Sequence, residues 1–118
     1  MSKEKWTVEQ AEQRAKELTE EKGRTVFPLA FKETEDDDSD LIVGFLENPK
    51  RIVKRRAFDK ANISQSAAGE ELIAACLIKE ESDPRITSEK EEHDHIVLGA
   101  EVAAMQCVRL ALNQIKKN

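Results

Sequence analysis

Apolar positions along the chain recur at two spacings, near 3.6 and near 2, and the switches between them divide it into elements. Thr7-Val8-Glu9-Gln10 has the form of a capping box, an N-cap hydroxyl with Gln three residues on. The helix it opens should run to about Lys22 and stop at Gly23. Its apolar residues are Val8, Ala11, Ala15 and Leu18. So thin a stripe predicts a helix on the outside of the fold or against a partner. In residues 25–32 the period becomes 2, with Thr25, Phe27, Leu29 and Phe31 pointing one way. Pro28 has no N–H to give a ladder, which makes this an edge strand. Residues 41–46 (LIVGFL) form a second short strand beyond the acidic turn Glu33–Asp40, and the two make a hairpin.

Asn48-Pro49 reads as a helix start, Asn as N-cap and Pro in the first turn. That helix is predicted over 49–61 with Ile52, Val53, Ala57 and Ala61 inward. A break near Asn62-Ile63-Ser64 leads to a helix over about 65–79, whose stripe is Gly69, Leu72, Ile73, Cys76 and Leu77. Residues 80–95 read as a polar loop. The last helix, about 95–116, is apolar around most of its circumference, with a narrow polar strip at Glu101, Met105, Arg109 and Asn113. A helix of that kind belongs at the centre of a bundle or inside an assembly. The fold class is α+β, mainly helical: about four helices and a two-stranded β-hairpin, in a single domain over 1–118.

Composition narrows the function. Apolar residues make up 39% and charged residues 36% of 118, enough for one core under a highly charged surface. Aromatics are limited to Trp6, Phe27, Phe31, Phe45 and Phe58. This disfavours enclosed cofactor pockets and base-stacking platforms, and no cofactor is expected. The net charge of −5 opposes binding to phosphate backbones unless basic residues cluster. Cys76 and Cys107 lie in apolar helical patterns without a Cys-x-x-Cys, which points to a reducing, cytoplasmic setting. The start MSKEKWTVEQ lacks the apolar run of a secretory signal, and no stretch is apolar enough to span a membrane.

Three clusters could carry chemistry. Asp36, Asp38, Asp40 and Glu47 stand at positions 1, 3, 5 and 12 of a calcium loop, with Val43 at position 8. Position 6 is Leu41 where the loop needs Gly, so an ordinary acidic turn is the favoured reading. His93-Asp94-His95 offers two imidazoles without a spaced third ligand, and no metal site is expected. Lys50, Arg51, Lys54, Arg55, Arg56 and Lys60 make one helix basic, the pattern that would serve a nucleic-acid-associated regulator. Its charges spread over several faces, and six acids in Glu33–Asp40 balance them. No nucleophile elbow, Walker loop or dinucleotide fingerprint is present. Ser64 and Ser66 precede a helix, where hydroxyls cap, and apolar surroundings quiet both thiols. No enzyme is expected.

Four phrases in order carry a resemblance: Val43-Gly44-Phe45-Leu46-Glu47-Asn48-Pro49, Ala57-Phe58-Asp59-Lys60, Ala68-Gly69-Glu70-Glu71-Leu72-Ile73, and Lys79-Glu80-Glu81-Ser82-Asp83-Pro84-Arg85-Ile86. The series resembles small proteins of phage and prophage tail gene clusters, among them tail assembly chaperones. It covers about residues 25–117 and leaves the first helix unmatched. The resemblance implies a protein that binds the long helical tape measure protein in the bacterial host cell. It would keep that chain soluble and guide tail tube subunits around it, with no catalytic residues. The apolar excess suits such capture, since an amphipathic helix docks in an apolar groove. Candidate contacts are Leu98, Val102, Leu110 and Leu112 on the last helix, with Val26, Leu29, Phe31 and Phe45 on the hairpin. For each of them singly, filling the domain's own core is the favoured reading. The surplus on the last helix also predicts a homo-oligomer.

Overall fold

The computed structural model describes residues 6–34 and 39–117, with side chains described as far as Arg109. The chain runs α1 (Val8–Lys22), β1 (Val26–Lys32), β2 (Leu41–Glu47), α2 (Arg51–Ala61), α3 (Gln65–Cys76) and α4 (Asp94–Lys117), with three short 3-10 turns between α3 and α4. It is an α+β fold, mainly helical, around one two-stranded antiparallel sheet.

Helix α1 begins and ends where its sequence dictates. Thr7 Oγ1 accepts from the Gln10 N–H (3.1 Å), and Gln10 Oε1 accepts from the Thr7 N–H (3.0 Å), closing the capping box. Gly23 takes the left-handed conformation (φ 69°) that ends the helix, its N–H donating to the Thr19 carbonyl.

The hairpin pairs Val26 with Glu47 through to Lys32 with Leu41. The Asn48 N–H to Thr25 O bond and the Glu33 N–H to Asp40 O bond extend the ladder at either end. Successive residues of a strand face opposite sides of the sheet, and here both sides are covered. Leu29, Ile42 and Leu46 face a core made with α2, α3 and α4, where Phe31 also packs. Val26, Val43 and Phe45 face Ala11, Ala15 and Leu18 of α1. The predicted row of Phe27, Leu29 and Phe31 is therefore one face of two. Burial from both sides is why β2 is a continuous apolar run.

The structure revises the helix boundaries for identifiable reasons. Asn48 does not cap α2. Its N–H completes the sheet ladder and its carbonyl accepts from Arg24, so α2 starts at Arg51 behind Lys50. Ile52, expected inward, is 63% exposed, while Ala57 is fully buried. Ser64 caps α3 by accepting from the Ala67 N–H (3.2 Å), whereas Ser66 lies inside the helix. Helix α3 ends at Cys76, not near 79, because the next residues leave it to cover the outer edge of β2. Leu77 bridges Leu46, the Ile78 N–H donates to Phe45 O (2.8 Å), and the Asp83 N–H donates to Val43 O (2.9 Å). The polar loop that follows is more ordered than its composition predicts. It winds into 3-10 turns and sends Ile86 into the main core, over Gly44.

Helix α4 touches α3 and both strands. Its buried stripe is Ile96, Ala100, Ala104, Met105 and Val108. The anticipated polar strip is not the solvent face: Met105 is fully buried, and Glu101 is only 7% exposed where α4 crosses α3. At that crossing a Cβ on Gly69 would lie 2.6 Å from the Glu101 Cα, so the two backbones touch. Beyond the first turn, the residues turned outward up to Arg109 are Leu98, Val102, Gln106 and Arg109.

Candidate functional site: the outer face of α4 and the groove beside it

Residues 98, 102, 106 and 109 stand three or four apart, so they form one row along α4. Leu98 is 51% and Val102 40% exposed, two large aliphatic side chains one turn apart in solvent. The flank of this row leads to a groove of about 190 Å³ between α1, β1 and α4. Val8 and Ala11 line it from α1, Pro28 and Ala30 from β1, and Ala103 and Cys107 from α4. Small residues on both helices keep it open. Its floor is the outer edge of β1, where hydrogen bonding is managed locally. The Val26 N–H donates to Thr19 Oγ1 (3.0 Å), Pro28 has no N–H, and the Pro28 carbonyl accepts from Cys107 Sγ (3.5 Å). Pro28 thus occupies the edge position its chemistry requires.

The expected contact residues fall into different places. Leu98 and Val102 are outward. Phe31 is half-buried against α4, where a Cβ on Gly99 would come within 2.9 Å of its ring. Phe45 is completely buried beneath α1, with Trp6 edge-on at 5.9 Å, and offers nothing to a partner. Leu29 and Val26 are core residues too. The side chains of Leu110 and Leu112 lie outside the described residues. Val8 and the groove were not among the sequence candidates. The groove joins segments about 75 residues apart, a juxtaposition no local periodicity carries.

The six cations of α2, counting its N-cap Lys50, separate into two sets. Arg56 Nε donates to Glu71 Oε2 (2.7 Å), and Lys60 Nζ lies 2.6 Å from Glu71 Oε1, so both are locked onto α3. Lys60 first, then Arg56, hold the Glu71 carboxyl below the usual carboxylate range. Lys50, Arg51, Lys54 and Arg55 make no ion pair among the described residues.

The remaining candidates find structural roles. Glu47 sits 3.9 Å from both Lys22 Nζ and Arg24 Nε, facing cations rather than a calcium loop. Asp36 and Asp38 lie outside the described residues. His93 Nδ1 is 2.7 Å from Ser88 Oγ, and His95 Nε2 is 3.5 Å from Glu33 Oε2. Among the described residues no three metal-ligating side chains converge. Burial raises the Cys76 thiol and pushes Cys107 up to about 11, so both are protonated near neutrality. Burial, and then the Glu70 charge, raise the Glu101 carboxyl against the opposing hydrogen bond from Ser66. Among the described residues no helix is long and apolar enough to cross a membrane.

Comparison with protein-family models, with curated proteins and with solved structures returns no match.

Proposed function

We propose that this chain is a non-enzymatic protein-binding module that captures amphipathic helical segments on the outer row of α4 and the adjoining groove. The observation that carries the reading is the placement of Leu98 and Val102, two large apolar side chains exposed one turn apart on a helix whose opposite face is buried in the core. Exposed apolar side chains grouped on one face mark interaction sites, whereas isolated ones are ordinary surface. A partner helix laid along this row would present apolar residues at i, i+3 and i+4 and cover Val8 and Ala103 at the groove. Burial of apolar surface, at roughly 25 cal/mol per Å² before entropic costs, would drive association.

The resemblance to tail gene cluster proteins supplies a candidate for that helix. In this proposal the chain is a phage or prophage tail assembly chaperone in the host cytoplasm, and its partner is the tape measure protein, with the tail tube protein a further candidate. Homo-oligomerisation through the same row is the expected behaviour without the partner. The direct test is co-expression with a tape measure protein, followed by co-purification. Wild type should yield a soluble complex, and a Leu98→Asp/Val102→Asp double variant should lose it while keeping its helical spectrum. Undiminished capture by the double variant overturns the assignment of the site.

A further inference from the structure

Helix α2 presents a second surface with different chemistry. Residues 51, 52, 55, 56, 59 and 60 are exposed, and on a helix of 100° per residue they share one outward half. Arg56 and Lys60, along one margin, are bound to Glu71. Without an ion pair among the described residues are Arg51 and Arg55, one turn apart, with Asp59 another turn on and Ile52 beside them. Lys50 and Lys54 add charge at the other margin. Ile52 is 63% exposed, and Ile63, just past the helix end, is 91% exposed.

We infer that this face is a docking surface for an acidic amphipathic helix of a partner protein, with Ile52 as the apolar contact and Arg51 and Arg55 as the carboxylate-binding pair. Charge complementarity identifies the partner class. Guanidiniums at i and i+4 match carboxylates at i and i+4 on a facing helix, and Arg binds carboxylate in a fork geometry. The other features of the face separate this partner from a polyanion. A phosphate backbone gains nothing from Ile52, and Asp59 repels it. Two of the six cations that a nucleic acid would need are already neutralised. The net charge of −5 further penalises an extended anionic lattice, while a short segment with a single acidic stripe meets mainly the local field. A protein helix satisfies all of these together: carboxylates for the arginines, an aliphatic residue for Ile52, and a cation for Asp59.

This inference is independent of the α4 reading, since α3 lies between the two helices. The test uses the full chain and fluorescence anisotropy. The probe is a labelled helical peptide of about 15 residues, a length at which helicity is sustainable, with Glu at i and i+4 flanking Leu. Binding should fall about tenfold or more in Arg51→Glu/Arg55→Glu and several-fold in Ile52→Ser. It should be unchanged in Leu98→Asp/Val102→Asp, which separates its failure from failure of the α4 site. All these positions are exposed, and circular dichroism checks that each variant stays folded. Two parallel probes are duplex DNA and phosphatidylserine vesicles. If either binds more tightly than the peptide and ignores Ile52→Ser, or if the peptide itself is indifferent to Ile52→Ser, the assignment to an acidic protein helix is overturned.

Discussion

The two faces of one hairpin are closed in different ways. The face turned to α2, α3 and α4 is sealed by large side chains from several elements: Leu29, Ile42 and Leu46 meet Leu72, Ile86, Ile96 and Met105. The face turned to α1 is sealed mainly by one helix, whose buried contribution is Ala11, Ala15 and Leu18, with Ile78 from the segment after α3 beside it. Alanine lets α1 lie close but brings little apolar area, so much of its attachment falls to Leu18 and to polar contacts. Chief among these is Arg14, whose Nε and NH2 donate to the two carboxylate oxygens of Glu81 at 3.1 and 2.9 Å. The same layer also supplies one wall of the groove. The contrast teaches that one part of the molecule is built as a core and the other as a cover, and covers open at lower free energy than cores.

Five experiments would break or sharpen this contrast. Gly69→Leu should have the largest effect. The added side chain must enter the backbone of Glu101, so α3 and α4 cannot keep their crossing, and loss of about 3 kcal/mol or more should be visible in urea unfolding. Leu72→Ala should cost about 2–5 kcal/mol and shift all spectroscopic probes together, because the main core unfolds as a unit. Leu18→Ala, by contrast, should speed hydrogen exchange across 8–22 while the amides of α3 and α4 keep their protection. Equal loss of protection in both regions would show that cover and core are one cooperative unit.

The two smaller effects depend on pH and have opposite signs. The folded-state pKa of Glu101 is raised, so its favourable contribution is fully present below the unfolded value and is lost as pH rises through the folded one. Glu101→Gln should therefore raise Tm by a few degrees at pH 7. The gain should vanish on acidification into the carboxylate range. The Glu81 carboxyl is instead held down, first by its hydrogen bond to Arg14. Its contribution is present above the unfolded value and is lost as pH falls through the folded one. Arg14→Gln should accordingly loosen α1 at neutral pH and have little further effect in acid. This is the smallest of the changes, since solvent reaches both partners. Hydrogen exchange over 8–22 at the two pH values would measure it.

Legibility in the sequence followed the range of the interactions involved. The capping box at Thr7, the stop at Gly23, the cap at Ser64 and the edge position of Pro28 each depend on neighbours within a few residues, and all were readable. The misplaced start of α2 and the overlong α3 have a common cause. Asn48, Leu77 and Ile78 have local patterns suited to helix ends or helix stripes, yet their backbone groups belong to the sheet. Among the candidate contacts, Leu98 and Val102 could be picked as apolar residues, but their exposure could not, because α4 carries apolar residues on nearly every side. Phe45 looked equally eligible and proved to be core, since the sequence does not say that α1 folds over the second face of the hairpin.

By itself, then, the sequence determined the kinds of elements, most of their ends, and the mainly helical α+β class, because these follow from periodicity and capping within single segments. Only the tertiary structure decided which apolar faces meet. It put Glu101 against Gly69, buried Phe45, left Leu98, Val102 and Ile52 in water, and opened the groove between α1 and α4. Burial is a property of pairs of surfaces: a helix with more apolar circumference than one neighbour can cover does not specify which side stays bare, and the packing of the other elements makes that choice.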